Sequence, residues 1–319
     1  MRNRFCSASC VAMPLDARVG WWTILKRTFK EVIDDNCLGL SAQLAYYFFL
    51  SLFPALLVVV ALTSFFPYHV LDAILKWLGK FTPPDVLNII KAQIEQITKS
   101  GNAGLLTFGV LGALWSSSSA MTAIIDTLNR AYGVKEARSW WKTQILAVIL
   151  TLAMSVFVLV SFTLVIAGPE IAEHVAARVG LGPVFAWTWT ILQWPIVFLL
   201  ISQGFGMVYY LAPDAEQRWP WILPGAHIAT LLWLAISVAF RFYIVNFGNF
   251  NKMYGSIGAV IVLLLWFYLS GFVLLFGAEL NSEIEHASPY GKAEGEKAPG
   301  ERRHWMFRTR HTPLGESPR

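Results

Sequence analysis

"LLLWFYLSGFVLLFGAELNSEIE", Leu263–Glu285, decides the fold. No charged residue occurs from Leu263 to Ala278, and then Glu279, Asn281, Glu283 and Glu285 follow at every second position. An apolar helix of roughly 20 residues spans the ~30 Å hydrocarbon core of a bilayer. The abrupt polar run marks the place where such a helix meets water.

Five more stretches have the same character. Together the six predicted spans cover about 41–66, 104–125, 143–167, 183–211, 221–245 and 254–280, each bounded by a polar loop, a proline or a glycine. Over half of the 319 residues are hydrophobic (56%) and only 14% are charged, where a soluble domain carries roughly a quarter charged. So much apolar surface cannot be hidden in one aqueous core. Lipid leaves no backbone group unsatisfied, which favours spanning helices, and the alternation expected of a membrane β-barrel is missing. The fold class predicted is an all-α integral membrane protein, a six-transmembrane-helix bundle over residues 41–286. Residues 1–40 form an N-terminal segment, and 287–319, rich in Gly, Pro, Glu and Arg, are expected to be a disordered tail.

Basic residues set the orientation. Arg2, Arg4, Arg18, Lys26, Arg27 and Lys30 precede the first span; Arg130, Lys135, Arg138 and Lys142 lie between the second and third; Lys292, Lys297, Arg302, Arg303, Arg308, Arg310 and Arg319 follow the sixth. With six spans these regions share one side, and the positive-inside rule makes it the cytoplasm, with both termini there. In the first loop, "HVLDAILKWLGKF" and the run after Pro83-Pro84 repeat apolar residues at helical spacing. Two amphipathic helices on the outer membrane surface, or a cap over the bundle, both fit that pattern. The first 22 residues lack the apolar core of about 7–15 residues required of a secretory signal. Cys6, Cys10 and Cys37 have no zinc-ligand spacing around them and are expected to be reduced thiols.

Polar residues in or near the spans are the candidate site. Gln43, Tyr47 and Ser51 recur four apart in the first span, with Pro54 a turn later to bend it. Asp126, Asn129 and Arg130 end the second span at the same predicted depth as Glu279 and Asn281. That grouping fits a hydrogen-bonded latch between helix ends or a substrate or gating site, and the latch is the simpler reading. Small residues four apart, Gly109-Ala113-Ser117 and Gly112-Ser116-Ala120, suit close helix packing. Arg241 lies about a turn from the outer end of the fifth span, either snorkelling outward or awaiting an anionic headgroup. No Asp or Glu lies mid-span, there is no Walker loop, and the six histidines form neither H-E-x-x-H nor a nuclease cluster. No cofactor, enzymatic activity or nucleic-acid partner is expected.

Several segments resemble one family. "LSAQLAYYFFLSLFPALLVVV" (40–60), "LWSSSSAMTAIIDTLNRAYG" (114–133), "YYLAPD" (209–214) and the closing "YGSIGAV", "LLLWFYLSG" and "LFGAELN" blocks (254–281) are similar to the YihY/BrkB family of bacterial inner-membrane proteins. The similarity covers roughly residues 20–287, and its most specific block contains Tyr254 and Gly255, which join the candidate residues. The resemblance implies a six-span protein of the bacterial inner membrane. The family once carried the label ribonuclease BN, now regarded as mistaken. The association of some members with serum resistance, and of one relative with lipopolysaccharide export, implies handling of lipids or other envelope molecules. A transporter or flippase-like protein for an anionic amphipathic lipid is therefore expected, with membrane lipids as partners. The alternative is a non-catalytic scaffold that binds envelope-assembly proteins or further copies of itself.

Overall fold

The computed structural model describes residues 20–63, 111–112, 114–179, 182–247, 256–288, 291–292 and 295–298. Seven α-helices account for most of them: α1 Trp21–Asp34, α2 Cys37–Thr63, α3 Ser119–Ala131, α4 Trp140–Val179, α5 Gly182–Leu211, α6 Trp219–Phe247 and α7 Ser256–Ala287. No strand occurs among the described residues. Four stretches are long and apolar enough to cross a membrane: Trp140–Val158, Ile191–Leu211, Trp219–Ile244 and Val260–Ala287. α2, Cys37–Thr63, is apolar and covers most of the first expected span. The expected helices of the first loop (67–103), and 104–110 of the second expected span, lie outside the described residues.

Helix bounds differ from the hydropathy reading in three informative places. α1 was not expected; it stands apart from α2 because Asn36 adopts φ 53° between them, a left-handed conformation that asparagine tolerates better than most residues. The Asp35 and Asn36 amides close α1 on Glu31 and Ile33 carbonyls, and Leu40 N–H opens α2 on the Asn36 carbonyl. α4 continues past Ala167 to Val179. α7 does not stop where its sequence turns polar but runs to Ala287, because neighbouring helix ends supply partners there.

α7 is the hub, packed against α1, α2, α3 and α6, while α4 joins α3 to α5 and α5 joins α6. The core gathers at one end. Val273, Leu275 and Ala278 of α7 are sealed in one core with Leu44, Leu128, Tyr209, Ala226 and Ala229, while Leu280 packs with Ile24 and Ile284. Toward the other end α6 and α7 expose Val238, Phe242, Val260, Ile261 and Leu265, as apolar faces do in lipid. α6 and α7 meet most closely at Gly225 and Gly277, where a Cβ on either would run into the other's backbone. Close approach through small residues is how helices pack when lipid is the alternative neighbour.

Candidate functional site

The last two turns of α7 carry polar groups on two faces, since residues two apart on a helix point in nearly opposite directions. On one face Glu279, 2% exposed, accepts a 3.4 Å bond from the Cys37 thiol at the start of α2. On the other, Asn281 Oδ1 accepts the Gly225 N–H at 2.7 Å, a contact that Gly225 permits by lacking a side chain. Seven residues before Asn281 in α7, the Leu274 carbonyl accepts the Tyr209 hydroxyl at 2.8 Å. The Tyr132 hydroxyl and Asn281 Nδ2 lie close together at the centre of this end, both buried and neither in hydrogen-bond geometry. Burial pushes the Tyr132 phenol well above its ordinary range.

Around this centre two loops and the C-terminal segment interlock. Asn129, buried at the end of α3, donates to Glu136 Oε2 at 3.0 Å and accepts the Asp214 N–H at 2.7 Å. Arg138 grips Glu136 through Nε (2.8 Å) and Nη2 (2.6 Å), and donates to the Ala212 carbonyl at 2.7 Å. Asp214 accepts the Ala137 N–H at 2.9 Å and pairs with Lys297. Lys292, 4% exposed, sits 3.3 Å from Glu285 and donates to the Glu216 carbonyl at 2.7 Å. Burial works upward on Glu136 and Asp214, yet the Arg138 and Asn129 bonds on the first and the Lys297 and Ala137 bonds on the second hold both below the usual carboxylate range. The Glu136 carboxylate in turn raises Arg138, against the opposing effect of burial.

This arrangement sorts the residues singled out in the sequence. Glu279 and Asn281 are both in the centre, but back to back rather than together. Asn129 enters the network, whereas Asp126 and Arg130 form a 3.1 Å pair more than half exposed on the other side of α3. Those two therefore take no part in the latch: four apart, they share one outward stripe while Asn129 is turned inward. Gln43 and Tyr47 are half-buried, and Ser51 donates to the Phe48 carbonyl of its own helix at 3.0 Å; Pro54 lies within α2. None of these four meets the α7 cluster. Tyr254 and Gly255 lie outside the described residues. The tail expected to be disordered contributes Lys292 and Lys297 to the network, because Glu285, Glu216 and Asp214 give it charged and backbone partners.

The sequence reading missed Tyr132, Glu136, Arg138, Asp214, Lys292, Gly225 and Gly277. The Pro213-Asp214 step after an apolar run was the one local signal, a turn with a carboxylate at its entrance.

Arg241 forms a separate feature. It is exposed on α6 and, with Ser237, Phe240 and Ile244 and with Trp266 of α7, lines a shallow open groove of about 280 Å³. The Ser237 hydroxyl is turned back to the Trp233 carbonyl at 2.6 Å, so it does not serve Arg241. At 1.5 Å per residue Arg241 stands about 33 Å along α6 from Trp219, a full hydrocarbon thickness from the polar end. Among the described residues no group of three or more His, Cys, Asp or Glu is placed to hold a metal.

The family described as Virulence factor BrkB matches residues 28–302. The Bacillus subtilis protein YfkH, whose name likens it to a ribonuclease, is 36% identical over 260 residues, covering 82% of this chain and 94% of its own. A UPF0761 membrane protein of Pseudoalteromonas translucida is 29% identical, covering 83% and 86% respectively. Another, from Tolumonas auensis, is 25% identical over 80% and 83%. No solved structure matches.

Proposed function

This chain belongs to the BrkB family of membrane proteins, and from that premise we propose that it binds and moves an anionic amphipathic envelope lipid at the groove beside Arg241. The observation that carries this is the side chain of Arg241 on a laterally open, otherwise apolar and aromatic groove. No described residue gives it a hydrogen bond or an ion pair. At the outer boundary of the span its long side chain reaches the headgroup level, and its planar fork suits a phosphate or carboxylate there. The exposed Val238, Phe242 and Ile261 nearby offer a surface for acyl chains. The interlocked polar end supports the same reading, since a lipid entering from the side needs no aqueous pore through that end.

In this reading the chain has six spans, lies in the bacterial inner membrane and keeps its polar end and both termini in the cytoplasm, as the Lys and Arg distribution favours. Ribonuclease activity, suggested by the name of the Bacillus relative, gains no support from a metal-holding group among the described residues. The test is lipid exchange between leaflets in proteoliposomes, using fluorescent phosphatidylglycerol and fluorescent phosphatidylcholine. The intact chain should exchange the anionic lipid faster than empty vesicles, and Arg241→Ala should slow it at least about tenfold, the effect of losing one charge-assisted contact. Exchange no faster than in empty vesicles would overturn the proposal.

A further inference from the structure

α1 has three sectors, which is one more than packing on the bundle requires. At 3.6 residues per turn, Ile24, Thr28 and Val32 occupy one sector, and two others lie about 110–120° to either side of it. The first sector is buried: Ile24 packs with Leu280 and Ile284. Phe29 meets Phe276 at 5.5 Å between ring centroids, so α1 stays abreast of the last turns of α7. The second sector consists of Trp22, Phe29 and Ile33, which are 71%, 57% and 73% exposed. The third holds Thr23, Arg27, Lys30 and Asp34, all exposed. Lys26 stands on the border of the second and third, its ammonium 5.6 Å from the centre of the Trp22 ring.

A helix in water needs one apolar face and one polar face. A second apolar stripe about 120° round from the core contact has a use where the helix lies along a membrane surface: one sector on the protein, one in the acyl region, one in the headgroups and water. The spans place α1 at that depth, because its α7 partners, Phe276 to Ile284, are the end of the span Val260–Ala287. Trp140 and Trp141 are exposed at the start of α4, with Lys142 5.5 Å from the Trp141 ring. They open the apolar stretch Trp140–Val158, and exposed aromatic residues with a cation beside them are typical of membrane–water boundaries. On the exposed sectors of α1 Lys26, Arg27 and Lys30 outnumber Asp34, which stands 4.0 Å from Lys30, while Glu31 and Asp35 are half-buried on the side of Glu279. That excess complements an anionic surface.

We propose that α1 is an in-plane interfacial helix whose Trp22–Phe29–Ile33 stripe enters the leaflet at the polar end, and whose Lys26, Arg27 and Lys30 bind anionic lipid headgroups there. The site is at the opposite end of the molecule from Arg241 and stands independently of the lipid-moving reading. Each basic residue held at an anionic surface contributes about 1 kcal/mol, so three together amount to up to about a hundredfold in the local closing equilibrium.

The experiment is amide hydrogen exchange of residues 21–34 in the full chain, reconstituted in phosphatidylcholine vesicles with and without one-quarter phosphatidylglycerol. Exchange should slow tens of fold or more when phosphatidylglycerol is present. The variant Lys26→Gln/Arg27→Gln/Lys30→Gln, altered only at exposed positions, should exchange equally in both and match the wild type in phosphatidylcholine. Equal exchange of the wild type in the two vesicles would overturn the proposal. So would a phosphatidylglycerol effect that survives in the triple variant, or protection that follows protein density instead of lipid charge, which would make the stripe a contact between copies.

Discussion

Replacing Gly277 with alanine tests the packing on which the polar end depends, because two opposing effects act there and the structure decides between them. In an exposed helix the change should stabilise by about 1 kcal/mol, since alanine loses less backbone freedom than glycine. At Gly277 the new Cβ would stand 2.8 Å from the Ala229 Cβ and 3.0 Å from the Gly225 carbonyl oxygen, and would collide with the Tyr209 hydroxyl. None of these neighbours can give way easily: Ala229 and Tyr209 are fully buried, and the hydroxyl is held by the Leu274 carbonyl at 2.8 Å. Overpacking of this kind costs about 1–3 kcal/mol, and a displaced buried hydroxyl left unpaired adds about 1–3 kcal/mol. Against the gain of about 1 kcal/mol in propensity, the net expectation is destabilisation by about 1–5 kcal/mol. The assay is reversible unfolding by denaturing detergent, or thermal melting, of the protein in mixed micelles. Gly112→Ala is the control, with no described residue within 4 Å of its Cβ, and it should hold or raise stability. Tyr209→Phe combined with Gly277→Ala should recover part of the loss, since removing the hydroxyl removes the collision, and the double variant then falls short of the sum of the singles. A Gly277→Ala protein as stable as the wild type would refute the close crossing of α6 and α7.

Asn129→Ala should destabilise by about 2 kcal/mol, because it strands the Asp214 amide and removes one of the two bonds to Glu136 Oε2, whereas Asp126→Ala breaks only an exposed ion pair and should change stability by less than about 0.5 kcal/mol; parallel melts compare them. The depressed carboxyls of Glu136 and Asp214 bind fewer protons folded than unfolded, so their contribution is present above their unfolded values near about 4 and is lost as pH falls through the lower folded ones. Relative to the intrinsic exchange rate at each pH, the protection of residues 132–139 should therefore fall from pH 6 to pH 3, and Arg138→Gln should flatten that dependence. Lys292→Met leaves Glu285 buried without its counter-charge, a loss of about 3–5 kcal/mol if the site stays closed. The segment should instead open and become cleavable by trypsin at Lys297, while Lys292→Met with Glu285→Leu should close it again.

Hydropathy alone revealed the class of this fold, because burial in lipid demands an unbroken apolar run and little else satisfies that demand. Helical period could have taken the reading further than it went. Glu279 and Asn281 are two apart, so one helix cannot aim both at a single partner; the structure sends one to Cys37 and the other to Gly225. Asp126 and Arg130 are four apart and pair with each other along the surface. The Ile24–Thr28–Val32 ladder likewise marks the buried side of α1, though it lies in a segment too short and too basic to stand out by hydropathy. Other features have no local trace. Whether Lys292 finds Glu285, or Arg138 reaches the Ala212 carbonyl, depends on where three separate helix ends come to rest, and nothing in the residues beside them encodes that approach. The same holds for Gly277. A glycine in an apolar run reads as a mild helix breaker until the facing backbone of Gly225 is known to be there.

The two regions of α6 can be separated physically, which makes the functional reading open to a clean decision. Gly225 lies in a sealed contact with Gly277 and Asn281, and about 24 Å further along the helix, at 1.5 Å per residue, Arg241 lies exposed on an open groove. Substitution at an exposed position away from caps and cores normally moves stability by less than about 0.5 kcal/mol, so Arg241→Ala should melt with the wild type. A loss of anionic-lipid exchange in that variant would then belong to the guanidinium itself. If Arg241→Ala instead melted several degrees low, the side chain would be part of the scaffold, and the groove would lose its claim to a ligand.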